Sequence, residues 1–472
     1  MSRRVFYGPP GCGKTTLLLE RMAEVRDRGA KPAEIGFFAF TRAAANEALH
    51  RLNISRSKTI RTLHSLAYEI SGASREQMVD DAKLEEFSQY IGYPISGRSS
   101  QDPGPQLIGD ELMELHNLAT VTCTPIMEAW NRYRPDVDPG MAQLFSKGYT
   151  GWKNAYGYLD FNDLLEGATR TSPDLGLKEL FLDEAQDLSL LQWRLVDEIA
   201  KHTPSVTFAG DDDQAIYAWA GADAHGMARR HEGAEVEVLS QSHRIPLTVH
   251  RLAQAVASKI GQRVEKVYSP RSEMGSLASW TSLAYLDAPG AQDTLVLYRN
   301  HTTRAEVEEW LIAHNTPYSI VGPGLSSAFE DRYANAVRAY LRLKEGSEIS
   351  MAALGALKRV VRPSWRAQLL QAPGSITEAP WWDCLDIPYE RAKYLSKVDL
   401  FSKAKVRVST IHSAKGAEAD HVILMNSMGA RTYEAMDDNE VRVWYVGVTR
   451  ARHRLDIIQG DNPFDLPVME CV

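Results

Sequence analysis

Val5-Phe6-Tyr7-Gly8-Pro9-Pro10-Gly11-Cys12-Gly13-Lys14-Thr15-Thr16 decides the fold of this chain. The three leading apolar residues predict a short, buried parallel strand. Gly8 to Thr15 then match the phosphate-loop pattern G-x-x-x-x-G-K-[ST] at every position. Gly8, Gly11 and Gly13 let the backbone turn sharply and bring its N–H groups to a phosphate with no Cβ in the way. Cys12 and Thr16 complete the loop. Lys14 has the reach for β- and γ-phosphates, and the Thr15 hydroxyl is placed to ligate Mg²⁺. Leu17, Leu18, Met22 and Val25 recur at helical spacing over 16–26, so a helix N-terminus points at the anion. The pattern specifies a nucleoside triphosphate and leaves open what its energy does.

Downstream, Ile35 to Thr41 reads as a second buried strand, Arg42 to Leu52 as a helix, and Thr59 to Ser65 as a short strand running into a helix over Leu66 to Ile70. Residues 71–149 are polar, with helical patches at 83–90, 109–118 and 125–132 broken by a Gly/Pro/Ser stretch at 92–106, which predicts a helical insertion. Asp160-Phe-Asn-Asp163 opens another helix. Leu180-Phe-Leu-Asp183-Glu184-Ala-Gln-Asp187 puts two carboxylates just after an apolar strand, on the edge of a parallel sheet that also carries the phosphate loop. Asp183 is expected in the Mg²⁺ shell, and Glu184 is expected to activate the attacking water. Val206 to Ala222 ends a strand at Gly210 and continues with three aspartates and Gln214.

At 472 residues the chain is too long for one core, and its 44% hydrophobic and 24% charged residues are ordinary for a globular protein. No apolar run approaches a membrane span, and the first strand begins too early to leave room for a signal peptide, so a cytoplasmic location and no membrane partner are expected. Cys12, Cys123, Cys384 and Cys471 form no C-x-x-C pair, which argues against a disulfide framework or zinc site. The formal charge of −8 offers no bulk attraction to nucleic acid, although a basic groove can sit on an acidic protein.

These stretches, in this order, resemble UvrD/Rep-type superfamily 1 DNA helicases. Ala39-Phe40-Thr41 is similar to motif Ia and Thr62-Leu-His64-Ser65 to motif Ib. Leu159 to Asp163 is similar to the motif before the Walker B strand, and Asp211 to Gly221 to motif III. Gln241-Ser-His243-Arg244 matches motif IV, Val408 to Asp420 motif V and Trp444 to Arg452 motif VI. The resemblance implies an α/β fold of two RecA-like lobes: lobe 1A at 1–70 and 150–240, a helical insertion 1B at 71–149, lobe 2A at 241–344 and 400–472, and a reduced insertion 2B at 345–399. It implies that Gln214 contacts the γ-phosphate and attacking water. Arg244 and Arg450, both in the second lobe, would neutralise charge on the transferred phosphoryl group, and Glu418 would bind the ribose. Phe40, Thr62, His64, Trp219 and His412 would line a single-strand DNA track. ATP and Mg²⁺ are the implied cofactors. Single-stranded and tailed duplex DNA are the implied substrates, with loading or replication and repair proteins as partners.

The implied activity is ATP-dependent translocation and unwinding. Tyr217-x-Trp219-x-Gly221, usually absent from 5′–3′ relatives of RecD type, favours 3′–5′ polarity. A DNA-dependent ATPase that remodels protein–DNA complexes without unwinding is the alternative. A nuclease of the AddA/RecB kind is not expected, because about twenty residues follow motif VI. Two departures touch the base pocket: no residues are present for the upstream glutamine motif, and His243 stands where the family usually has tyrosine. Taken without the resemblance, Phe40 and Trp219 also read as core residues, and His64 and His412 as structural hydrogen-bonding groups. Asp211 to Asp213 read as a carboxylate-rich turn in preference to a second metal site. Trp381 and Trp382 read as a small local core or as surface. Cys12, at a helix N-terminus, is read as loop filling with a depressed thiol pKa.

Overall fold

The computed structural model describes residues 2–55, 57–97, 99, 106–287, 289, 292–321, 332–372, 376, 378–401, 404–434 and 436–459. Cys471, Pro373 and Gly374 lie outside them. The chain forms two compact units. The first takes in the sequence through Arg244 and returns for Ile260–Arg271; the second holds Ile245–Lys259 and the sequence from Ser272 onward.

The first unit opens with β1 (Ser2–Tyr7), α1 (Lys14–Asp27), β2 (Ile35–Phe38), α2 (Arg42–Arg51), β3 (Ile60–Arg61) and α3 (Leu63–Ser71). Helices α4 (Asp81–Ile91), α5 (Ile108–Val121), α6 (Ile126–Tyr133) and α7 (Pro139–Tyr156) follow, then α8 (Phe161–Thr171), β4 (Glu179–Leu182), α9 (Leu190–Ala200), β5 (Ser205–Gly210) and β6 (Glu235–Val238). Its six strands pair in parallel in the order β3-β2-β4-β5-β1-β6. Strands β2 and β4 are buried along their whole length, as continuous apolar runs in a sheet covered on both faces must be. Every strand points the same way, so the loops after β4, β5 and β1 share one sheet edge, and Gly8 N donates to Gly210 O across it at 2.9 Å.

Helices α4 to α7 have a core of their own, centred on Phe87, which is fully buried against Phe145, Tyr149 and Trp152 with ring centroids 5.0–5.3 Å apart. The expected end of the insertion at 149 falls inside α7, which continues to Tyr156 and the left-handed Gly157. Lys153, near the end of α7, is buried and donates to Asp160 at 2.6 Å and Asp163 at 2.5 Å. Asp160 caps α8 through the N–H groups of Asn162 and Asp163, so one buried amine fixes where α8 begins.

The second unit contains α10 (Leu247–Ala257), β7 (Ser276–Trp280), β8 (Thr294–Tyr298), α11 (His301–Ala313), β9 (Tyr318–Ile320), α12 (Arg332–Lys344), α13 (Met351–Val360), α14 (Arg366–Gln371), α15 (Trp381–Cys384), α16 (Tyr389–Leu395), β10 (Val406–Thr410), β11 (Ala419–Met425), α17 (Ala430–Glu434), α18 (Asp438–Val448) and β12 (Ala451–Ile458). Its strands are also parallel, in the order β7-β12-β11-β8-β10-β9. The 345–399 stretch shares this unit's core. Leu357, Val360, Leu369, Trp381 and Leu385 pack in one cluster with Val296, Val408 and Ile423 of the sheet. Trp381 therefore belongs to a large core rather than a small local one, and Trp382 is exposed. No helix of the described residues is long and apolar enough to cross a membrane.

Residues 241–244, expected to open the second lobe, group with the first unit. Ser242 N donates to Ser269 O at 2.9 Å, and its hydroxyl donates to Pro10 O at 2.7 Å, which holds the segment against the phosphate loop.

Candidate nucleotide and nucleic-acid sites

The phosphate loop joins β1 to α1. Gly13 caps the helix with φ 78° and no side-chain capping bond, leaving the first-turn N–H groups of Lys14, Thr15 and Thr16 to face an anion. Gly11 has φ 75°, and a Cβ there would lie 2.4 Å from Arg244 Cβ and 2.9 Å from Ser242 Oγ. No larger residue fits. Lys14 folds over its own loop and donates to Gly8 O at 2.8 Å. Cys12 departs from expectation: burial pushes its thiol up to about 12, against the pull of Lys14. It is a buried filler of the loop and not a thiolate. Thr16 and His243 are exposed, and His243 N donates to Gly11 O at 2.9 Å.

Thr15 Oγ1 donates to Asp183 Oδ2 at 2.6 Å. This hydroxyl–carboxylate pair is an all-oxygen donor set of the kind a magnesium ion takes, at the mouth of a phosphate loop. Burial, then the neighbouring Glu184, pushes the Asp183 carboxyl up to about 6, the condition of a site built to share its charge with a cation. Glu184 has φ 51°, a left-handed conformation rare for a residue with a Cβ. Such backbone settings cost ~1–3 kcal/mol and collect at functional sites. Its carboxylate accepts from Gln186 Nε2 at 2.6 Å.

The turn after β5 completes this edge. Gln214 is buried, and its Nε2 donates to Asp211 Oδ2 at 2.7 Å. Asp211 N donates to Gln186 Oε1 at 3.0 Å, so Gln186 ties Glu184 to the Gln214 turn. Asp211 to Asp213 form a buried ion cluster with Arg263 and Lys266, consistent with their reading as a turn, and no group of three or more potential metal ligands occurs among the described residues.

Three residues separate Asp213 from Tyr217, which belongs to a set of rings. Phe40 stacks on Tyr217 with centroids 5.2 Å apart, and Tyr217 meets Trp219 edge-on at 6.5 Å. A cleft of about 850 Å³ is lined by Phe40, Arg42, Thr62, His64, Tyr68 and Phe161, among others. Phe40, His64 and Trp219 are only partly buried. Thr62 caps α3 by accepting from Ser65 N at 3.3 Å, which is a structural use of its side chain. Burial lowers the His64 pKa, so its ring is neutral. The sequence reading assigned no role to Phe161. It is 58% exposed, sits edge-on to His64 at 5.8 Å, and is held there by the Asp160 cap. An aromatic directly after the Asp160 helix cap is the sequence signal that could have found it.

In the second unit, Arg450 is buried at the end of α18, donating to Val446 O at 2.9 Å, Ala417 O at 3.3 Å and Thr449 Oγ1 at 3.1 Å. Glu418 is partly buried and accepts from Arg452 Nη1 at 3.4 Å. His412 is buried, and burial, then Arg299 and Lys415, brings its pKa down to about 3, so it is a neutral hydrogen-bonding group.

Comparison with known proteins agrees with the motif order. Residues 2–220 match the AAA domain model, and residues 405–458 match the UvrD-like helicase C-terminal domain model. The chain is 25% identical over 382 residues to DNA helicase II of Escherichia coli strain K12, covering 71% of this chain and 51% of that protein. It is 23% identical over 359 residues to the ATP-dependent DNA helicase PcrA of Leuconostoc citreum, covering 66% and 47%. It is 27% identical over 296 residues to the ATP-dependent DNA helicase srs2 of Schizosaccharomyces pombe, covering 54% and 33%. The chain thus spans about half the length, or less, of the curated relatives it matches. Both models are matched in sequence order, one in each of the two parallel-sheet units, and with the helicase relatives above they support a UvrD/Rep-type superfamily 1 helicase.

Proposed function

We propose that the protein is an ATP-dependent single-strand DNA translocase and helicase that moves 3′ to 5′. One observation carries this reading. The segment from Asp211 to Gly221 begins in the phosphate-loop edge and, three positions after Gln214, carries Tyr217, which stacks on Phe40 in the wall of the ring-lined cleft. A displacement of Gln214 on nucleotide turnover is thereby passed along a short, hydrogen-bonded turn to rings that grip bases.

Lys14 and the α1 N-terminus would bind the triphosphate, and Thr15 with Asp183 would hold the magnesium ion, which supplies charge neutralisation at the β- and γ-oxygens. Glu184 accepts the proton of the attacking water, and Gln214 orients that water. Arg244, Arg450 and Glu418 are assigned by family resemblance to phosphoryl charge and ribose. Phe40, Trp219 and Phe161 stack bases in a sequence-tolerant way, since every base has a π-face. Thr62, His64 and His412 would add neutral hydrogen bonds along the strand. The polarity rests on Tyr217-x-Trp219-x-Gly221.

A strand-displacement assay on duplexes with 3′ or 5′ single-stranded tails tests the reading. Unwinding from the 3′ tail alone is expected. ATP hydrolysis stimulated by single strands, without displacement of either duplex, would favour the remodelling ATPase.

Trp219→Ala is expected to weaken single-strand binding by ~1–3 kcal/mol, the stacking contribution of one base, while DNA-free hydrolysis stays near wild type. Fluorescence anisotropy with a labelled oligonucleotide and a thermal melt decide it. Unchanged affinity with a lower Tm would make Trp219 a core residue.

A further inference from the structure

Ile260–Arg271 leaves the second unit's sequence, packs in the first unit and returns. Its contacts fall on both sides of the nucleotide edge. Lys266 is 3% exposed, and its Nζ lies 2.5 Å from Asp212 Oδ1, 3.0 Å from Asp213 Oδ2 and 3.3 Å from Asp211 Oδ1. Arg263 forms a two-point pair with Asp213 at 2.8 and 2.5 Å, and Val264 N donates to Asp212 Oδ2 at 2.7 Å. A few residues on, Ser269 O accepts from Ser242 N, and Ser269 N donates to Ser240 O at 2.7 Å. Ser242 in turn bonds Pro10 O of the phosphate loop. The strap therefore grips the Asp211–Gln214 turn at one end and the back of the loop at the other.

Resting on the function proposed above, we infer that Lys266 and Arg263 are positioning residues for nucleotide hydrolysis, acting through Asp211 on Gln214 and Glu184. Asp211 is the relay: one carboxylate oxygen faces Lys266, the other holds Gln214, and its backbone N–H reaches Gln186, which holds Glu184. Three adjacent carboxylates would repel one another and splay this turn without cations inside it. A displacement of about 1 Å at a water-orienting group is enough to cost ~10²-fold in rate. The bonds of Lys266 and Arg263 run to the Asp211–Asp213 turn and to Val264 O, so nucleotide affinity, assigned to the loop, is expected to be left in place.

The test is DNA-free ATP hydrolysis by the full chain, with nucleotide affinity measured separately using a fluorescent ATP analogue. Lys266→Met is expected to lower kcat by ~10- to 10²-fold with analogue Kd within threefold of wild type. Removing a buried cation also threatens folding, so Lys266→Met/Asp212→Asn restores the charge balance. Its Tm is expected to recover while kcat stays low, because Asp211 still lacks the amine. Arg263→Gln is expected to show a smaller loss of kcat with Kd unchanged. A folded Lys266→Met or double variant with kcat within twofold of wild type overturns the inference, as does kcat recovering together with Tm in the double variant. A wild type that hydrolyses ATP but unwinds no tailed duplex defeats the proposed function alone, because this assay contains no DNA. A wild type that hydrolyses no nucleotide overturns both.

Discussion

Lys14→Ala will lose nearly all ATP hydrolysis, by at least ~10²-fold, and keep its fold. Removing a single preorganised donor to developing charge costs ~10²–10³-fold in well-studied sites, and in the proposed function the donor is a full cation. The structure separates this from stability. The Lys14 ammonium donates to Gly8 O within its own loop, at the mouth of a partly exposed site, and belongs to no core cluster. Substitutions away from buried networks usually change stability by less than ~0.5 kcal/mol. A thermal melt matched to wild type, beside a phosphate-release assay run with and without single-stranded DNA, gives the result. Normal turnover in a folded variant would end the nucleotide-site reading, and the DNA-motor reading with it.

Much of this architecture was legible from residues because its signals are local. The phosphate loop needs glycine at Gly11 and Gly13, where φ is positive, and a hydroxyl at Thr15, and the sequence has them in register. Strands β2 and β4 are short apolar runs bounded by turns, and the alanine-rich stretch after Thr41 does form a capped helix. What the sequence hid is long-range. Helix α7 was missed because its glycines and polar residues dilute the apolar stripe, and only the packing of Phe145, Tyr149 and Trp152 on Phe87 reveals it. The 345–399 stretch was assigned to a reduced insertion by resemblance, and nothing local in it showed that its apolar residues pack into the second unit's core. Cys12 was placed by helix-dipole reasoning, and desolvation outweighs that dipole once the thiol is buried. Lys266 lies more than fifty residues from the aspartates it neutralises, a pairing with no local signature.

Glu184→Gln will bind ATP as tightly as wild type and turn it over ~10²–10⁴-fold more slowly, the usual contribution of a positioned proton acceptor. The substitution is nearly isosteric, and two features of the site make it clean. Glu184 holds a left-handed backbone, φ 51°, that glutamine must also adopt, so the local strain is the same in both proteins. The Gln186 amide now donates to the Glu184 carboxylate, and a glutamine carbonyl oxygen at position 184 accepts the same bond, so the link from position 184 through Gln186 to Asp211 persists. What disappears is the ability to accept a proton from water. In the function proposed above, affinity is assigned to Lys14, the α1 N-terminus and the Thr15–Asp183 pair, none of which the substitution alters. The variant is thus expected to hold ATP unhydrolysed, and single-turnover hydrolysis beside equilibrium binding separates the two quantities. Equal losses in binding and turnover would assign Glu184 to ground-state contact with the nucleotide, and turnover within a few-fold of wild type would move the proton acceptor elsewhere along this edge.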